Sequence, residues 1–580
     1  MRWEQSGSGY ANSVTWGYDD NNNLSTQKQT LNGTTYTTSY TYDKDNRLKS
    51  AAEGKAADRY GYDSLGRLDV LVNENDSDDV LTTFIGYQDL SSSATSGQVK
   101  TWKVRPYGRT TYLYEGTYSY DARGNITAIK EADNNTRTFV YDSFDQLISE
   151  ENPLFSKKWT YSYDDGGNIL SKQEYVTSGQ TTKLLKTTTY TYGDEDWPDL
   201  LTAYNGESIT YDGIGNPLSD GTWTYTWQHG RQLSGMSRSG TGITYGYDAD
   251  GLRISKTVNG TTYHYYYLDS QLVEMTWDSN KLHFTYDSVG PASVNYNGTI
   301  YNYIKNAQGD VVGLVDFNGT KVVEYIYDAW GNHLSTFGTM ASTLGKYNPL
   351  RYRGYVYDTE TGLYYLQSRY YNPGWGRFIN ADGYASTGQG IIGNNMFAYC
   401  GNNPVIRHDP TGQFGLTATI FGIAIWKIGV AVAGLAITYF AVRTIVRNIP
   451  TSSVFSWAKT TPREKSNEKE NAKAVPKQQW EGTTIYRYGK TNPGNLTPKQ
   501  KDATTGLSFS TIPPPLGVPA AVTTLEALNA TGVVVAIQDS PTHVSVRPVG
   551  ASVQAWIDAG PSSVWTLAVK TVVIKWDGVR

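Results

Sequence analysis

The stretch YSYDARGNI, Tyr118–Ile126, decides the fold. Its first two tyrosines, one residue apart, share a face of an extended strand, because side chains alternate with period two. Asp121 follows, a residue type that opens turns by bonding nearby backbone amides. Gly124 supplies positive φ, and Ile126 starts the next strand. The same unit recurs as YTYDKDNRL (Tyr40–Leu48), YGYDSLGRL (Tyr60–Leu68), YSYDDGGNI (Tyr161–Ile169), YGYDADGLR (Tyr245–Arg253) and YIYDAWGNH (Tyr325–His333). Looser copies centre on Tyr18-Asp19, Tyr141-Asp142, Tyr211-Asp212 and Tyr286-Asp287. Each unit is a hairpin that cannot bury its face alone, whereas stacked units bury a continuous one. The prediction is a mainly β chain: a curled antiparallel sheet with its tyrosines in rows.

Composition agrees. Charged residues make up 18% and hydrophobic residues 38% of the 580; Gly (58) is abundant, and Tyr (47) supplies a large part of the hydrophobic share. Aromatics at this density oppose disorder. A net charge of −5 argues against a general nucleic-acid surface, so the repeat region is not expected to bind nucleic acid. A single cysteine, Cys400, excludes a disulfide framework within the chain, and Cys and His supply speaks against a structural zinc site. The opening MRWEQSGSGYANSV has no basic start followed by an apolar run, so no signal peptide is read there. The expectation is a natural protein that begins upstream, or a truncated frame.

These units resemble the YD repeats of the Rhs, teneurin and insecticidal Tc-toxin C-component families, over roughly residues 10–412. The resemblance implies one long antiparallel sheet spiralling into a shell around a C-terminal polypeptide. It is made specific by NPLRYRGYVYDTETGLYYLQSRYYNPGWGRFINADGYASTGQGIIGNNMFAYCGNNPVIRHDPTG, Asn348–Gly412, which resembles the Rhs-associated core in the order of its elements. In several relatives this core is an aspartyl self-protease that cuts just after a second Asp-Pro-x-Gly-Leu box. Here that box reads DPTGQF, with Gln413 where Leu is usual, and the first box is reduced to ADGYAS. The resemblance therefore implies Asp382 and Asp409 as the candidate pair, Arg377 as their electrostatic partner, and weak or absent cleavage. The structural alternative is that both aspartates cap turns and Arg377 forms an ion pair.

Beyond the core the chain changes character. Phe414–Val442 is 29 residues long with one charge, Lys427, and is followed by Arg443 and Arg447. As a helix it would exceed the roughly 30 Å hydrocarbon core of a bilayer, and a central Lys costs about 2.5–3.5 kcal/mol there. It is read either as a helix that meets a target-cell membrane or as apolar cargo held inside the shell. Residues 448–479 form a polar linker. Residues 480–580 are read as a small α+β domain: strands at Thr484–Tyr488, Leu507–Ser510, Val533–Ile537, His543–Pro548 and Leu567–Trp576, helices at Ala520–Leu528 and Val553–Ala559. The organisation is thus 1–347 repeats, 348–412 core, 413–447 apolar helix, 448–479 linker and 480–580 effector domain.

Position makes the last domain the candidate effector, since in the resembled polymorphic toxins the segment after the core is the variable toxic tip. Its chemistry is open between two readings. IYRYG and GLSFST resemble the first two elements of ADP-ribosyltransferases, implying Arg487, Ser510 and a catalytic Glu, for which Glu526 is the candidate, with NAD as cofactor. Alternatively His543, with Arg547 four residues on along the same strand face, suits a metal-independent ribonuclease, a histidine moving the proton and cations stabilising the phosphorane. No other cofactor and no metal is expected. A delivery shell with a toxic tip implies secretion or a cell-surface location, bacterial competition, and an immunity protein that binds 480–580. The rival from another class is a non-enzymatic adhesive surface protein, as the teneurin resemblance also implies.

Overall fold

A computed structural model describes residues 2–7, 10–91, 94–132, 135–179, 181–268, 270–383, 392–413 and 416–417, and six strands between 484 and 576. The chain divides into two compact units, Met1–Val454 and Phe455–Arg580.

The first unit is built almost wholly of consecutive hairpins. An 18-stranded sheet runs from Arg2–Gly7 to Glu207–Ser208, and a 14-stranded sheet from Thr210–Tyr211 to His333–Phe337. In both, each strand pairs antiparallel with the next in sequence, as the registers 60↔71, 118↔129, 161↔172 and 245↔256 exemplify. The reason lies in the turn. Asp121 Oδ1 accepts the amides of Arg123 and Asn125 at 2.9 Å each, while its Oδ2 takes the Asn125 side chain, also at 2.9 Å. Gly124 sits at φ +88°, where a side chain would be strained. Asp63, Asp164 and Asp212 repeat this bonding with Arg67, Asn168 and Asn216. At the second tyrosine of each such copy the ladder register slips by one residue, as between Ser119 and Tyr120, and this β-bulge re-aims the ring.

That second tyrosine links copies. Its hydroxyl donates to a backbone carbonyl just past an earlier turn: Tyr62 to Leu48 at 2.8 Å, Tyr141 to Ile126 at 2.7 Å, Tyr163 to Leu147 at 2.6 Å and Tyr327 to Val311 at 2.9 Å. Turn arginines add to the link, Arg67 lying 4.0 Å from the Tyr87 ring centroid. The first tyrosine of the motif (Tyr60, Tyr118, Tyr161, Tyr245, Tyr325) is buried in one apolar core that runs from Ala51 to Ile406 and joins both sheets. The sheets also meet polar group to polar group. Trp102 Nε1 donates to the Lys305 carbonyl at 2.8 Å, and the Ala307 amide to Tyr118 Oη at 3.2 Å.

After Phe337 come a helical turn, Leu344–Tyr347, and a four-stranded sheet of Val356–Asp358, Leu363–Leu366, Arg369–Asn372 and Arg377–Phe378. Leu416–Thr417, placed at the start of the predicted apolar helix, are extended and pair with Arg407–His408. The remainder of that segment and the 448–479 linker lie outside the described residues. Among the described residues no helix is long and apolar enough to cross a membrane.

The second unit contributes six strands in one sheet, in the order 534–540, 543–548, 507–510, 484–488, 520–524, 574–576. The strands Thr484–Tyr488, Leu507–Ser510 and His543–Pro548 stand where the sequence places them. The predicted helix at Ala520–Leu528 is corrected: Ala520–Thr524 is a strand paired to both 484–488 and 574–576. Val522, Thr523 and Thr524 are β-branched, which favours a pleated strand over a helix and outweighs the helical spacing of Val522, Leu525 and Leu528. The predicted helix at Val553–Ala559 lies outside the described residues.

Candidate functional site

The core sequence is held by the tips of the repeat turns. Asn402 Nδ2 donates to the Gly167 carbonyl at 2.6 Å and to Gln146 Oε1 at 2.8 Å, and Asn403 Nδ2 to Asn125 Oδ1 at 2.9 Å. Asn395 Nδ2 reaches Asn168 Oδ1 at 2.7 Å. The residue four positions after the motif aspartate therefore bonds both its own aspartate and, in three successive turns, the core. Sequence reading assigned it only a place before the next strand.

These anchors place 396–412 beside the small sheet. Phe378 N donates to the Phe397 carbonyl and Asp382 N to the Met396 carbonyl, both at 2.9 Å. Asp382 and Asp409 are 2% and 1% exposed, and one guanidinium serves both. Arg369 Nη2 lies 2.8 Å from Asp382 Oδ2 and 3.8 Å from Asp409 Oδ2. The expected partner, Arg377, is elsewhere. It donates to Tyr192 Oη at 2.7 Å and to the Asp199 carbonyl at 2.5 Å, so the electrostatic role belongs to Arg369. The reason is geometric: Arg369 and Arg377 stand on neighbouring strands, and Arg377 is drawn to the tyrosine of the repeat sheet.

Arg369 also holds the chain that leaves the core. Its Nε donates to the Gly412 carbonyl and its Nη1 to the Met396 carbonyl at 2.8 Å. Ser368 Oγ donates to the Thr411 carbonyl at 2.7 Å, and the Gln413 amide to Asp409 Oδ1 at 3.1 Å. The Asp409 amide donates to Tyr355 Oη at 2.6 Å. Gly412 is obligatory: at φ +72° a Cβ there would sit 2.6 Å from the Leu366 carbonyl oxygen. Burial lowers the Arg369 pKa to about 10 against the pull of the two aspartates, so the side chain stays cationic at neutral pH. Two buried carboxylates thus lie against one guanidinium, the residue types that a carboxyl acid–base pair would use. The Gly412 carbonyl, held by a guanidinium, is the polarised group next to that pair. Among the described residues no group of His, Cys, Asp and Glu is arranged to hold a metal ion.

In the second unit the sheet brings three candidate positions onto adjacent strands. Ser510 is in register with His543 on one side and Tyr486, next to Arg487, on the other. Arg547 pairs with Val535. Glu526 lies outside the described residues.

Comparison with known proteins follows this geometry. The Teneurin YD-shell family model matches residues 9–153 and 114–405. The tRNA3(Ser)-specific nuclease WapA of Bacillus spizizenii is 42% identical over 223 residues, covering 37% of this chain and 9% of that protein. Double-stranded DNA deaminase toxin A of Burkholderia cenocepacia is 25% identical over 406 residues, 64% of this chain and 25% of that one. Among solved structures, TcdB2-TccC3-TEV matches over 70% of this chain and 24% of its own, at 20% identity and a TM-score of 0.48. The chain thus spans at most about a quarter of these relatives. With a repeat unit, a core segment and a family match that coincide over residues 9–405, the chain belongs to the Rhs/teneurin YD-shell family.

Proposed function

We propose that the chain is part of an Rhs-type toxin, in which a YD-repeat shell encloses and delivers the effector domain at 480–580 during competition between bacteria. The observation that carries this reading is the change at Gly412. Up to that residue the chain is clamped to the small four-stranded sheet of the core by Arg369 and Ser368, and the residues from Phe455 form a separate compact unit of different composition. The relatives' names, a tRNA nuclease and a DNA deaminase toxin, support a toxic tip over the adhesive alternative. An immunity protein binding 480–580, secretion or surface display, and passage of 414–442 into a target membrane belong to the same reading.

For the tip, ribonuclease chemistry is favoured, with His543 as proton-transfer group and Ser510 and Arg547 as its companions. The supporting observation is the register that sets His543 opposite Ser510; Arg487, adjacent to the Tyr486 that pairs with Ser510, alternates to the other face of the sheet and is kept for the alternative reading. The ADP-ribosyltransferase alternative, with NAD as cofactor, keeps Arg487, Ser510 and Glu526. At Gly412, Asp382 and Asp409 with Arg369 form the candidate self-cleavage site. The test of the main proposal is expression in a bacterial cytoplasm: residues 480–580 are expected to arrest growth and residues 1–412 are not. A harmless tip at high expression returns the adhesive reading.

A further inference from the structure

Beside the apolar core that joins them, the two large sheets of the first unit also meet along a short ionisable seam. His283, 6% exposed, comes from the second sheet. Its Nε2 lies 2.6 Å from Glu53 Oε1 of the first sheet, and its Nδ1 lies 3.7 Å from Glu274 Oε2 of its own sheet. Tyr36 of the first sheet stacks on the imidazole, centroids 3.6 Å apart and planes 7° apart, and donates its hydroxyl to Glu274 at 2.7 Å. Lys281 Nζ closes the ring of contacts on Tyr36 Oη at 3.0 Å.

A second cluster adjoins the first through a polar cavity of about 80 Å³, whose wall includes Glu53, Asp58 and His283. Asp58, on a first-sheet strand, accepts from Asn73 Nδ2 at 2.6 Å. From the second sheet Asp287 bonds Lys305 Nζ at 2.7 Å. Asp287, Lys305 and Glu74 are the charged groups that act on Asp58. One lysine thus serves two buried aspartates that belong to different sheets.

We propose that this seam is a proton-operated latch between the sheets, closed in mild acid and released as the pH rises past neutrality. The geometry sets the sense. With His283 protonated, a cation lies between Glu53 and Glu274. With Asp58 protonated, Lys305 has only Asp287 to neutralise. Raising the pH removes the imidazolium that bridges Glu53 and Glu274, leaving Lys281, 3.8 Å from Glu274, as the cation of the first cluster, and it adds an unmatched anion to the second; both changes push the sheets apart.

The titration directions agree in sign. Burial and the nearby Asp287 push Asp58 up to about 7, and burial also raises Asp287. Burial alone would lower His283, but its contacts with Glu274 and Glu53 outweigh that and raise it. A group whose folded pKa is raised contributes most below its unfolded value and loses that contribution as the pH climbs through the folded one. Glu274 runs the other way. Its folded pKa is lowered, burial being outweighed by His283 and Tyr36, so its contribution is present above its unfolded value near 4.5. The window of closure therefore lies from about 4.5 to 7.

Hydrogen–deuterium exchange on the whole chain tests this, with intrinsic exchange rates corrected for pH. Peptides from 34–62 and 271–287 are expected to lose at least tenfold in protection between pH 5.5 and 8.5, while 210–247 keeps its own. Asp58→Asn, an uncharged near-isostere of the protonated acid, is expected to reduce the seam's loss to under threefold. Equal protection at the two pH values in the wild-type chain overturns the proposal without recourse to any variant. So does a folded Asp58→Asn chain that retains the full tenfold loss.

Discussion

At the scale of single residues, the motif aspartates do the organising. Asp121 satisfies two amides and one side chain, and that side chain in turn holds Asn403 of the core. Asp121→Ala is expected to cost about 2–3 kcal/mol, read as a lower urea midpoint with unchanged slope. Asp121→Asn, which keeps one acceptor oxygen, is expected to cost less. The motif aspartates also shape the response to acid. For Asp63 and Asp121 burial opposes ionisation, but hydrogen bonds from the turn outweigh it, and both titrate below the usual aspartate range. A lowered folded pKa means stability that is present above the unfolded pKa and lost as the pH falls through the folded one. Thermal midpoints are therefore expected to drop below about pH 4, and in Asp121→Asn that drop is expected to be shallower. At Gly412, alanine meets both a left-handed backbone and the Leu366 carbonyl. Gly412→Ala is expected to loosen Gln413 from Asp409, detected as faster proteolysis at that point.

At the scale of elements, the Asn-Asn-Pro stretch is a clasp closed on three turns. Asn403→Ala is expected to raise exchange over 396–412 severalfold while leaving distant hairpins unchanged. The proposed self-cleavage element sets Asp382 and Asp409 on one guanidinium, but Gln413 replaces the usual leucine and Arg369 pairs closely with Asp382. The purified chain is expected to have its intact mass. A fragment beginning at Gln413 or Phe414 would reverse this expectation, and Asp409→Asn should then abolish the cut. Strands and turns of the repeats were legible in the sequence because two strong local signals coincide in each copy, period-two aromatics and an Asp-initiated turn. The pair Asp382 and Asp409 was legible only through family resemblance. Arg369 was not, because its role depends on how two neighbouring strands are placed, and no spacing encodes that. The strand at Ala520–Thr524 was misread because a short apolar run satisfies helical and extended periods alike, and pairing on both sides decided it.

At the scale of the whole molecule, two units of unlike composition follow one another, and the functional test separates them. With 480–580 expressed alone, the ribonuclease reading expects His543→Ala to restore growth and Glu526→Ala to leave arrest intact. Loss of an acid–base group costs about 10²–10⁴-fold in rate, enough to register as growth. Under the alternative reading, Arg487→Ala and Glu526→Ala both restore growth. The tyrosine links of the first unit carry a consequence of another kind. Each hydroxyl reaches backward, from a later copy to the carbonyl of an earlier one. The ladder therefore has a direction, and it is the direction of synthesis. A copy leaving the ribosome finds its acceptor already laid down and fixed, and it never has to wait for residues still to be made. For these links the repeat array is a ratchet whose teeth engage in the order in which they are produced, while the apolar face it shares with the second sheet closes only when that sheet has been made.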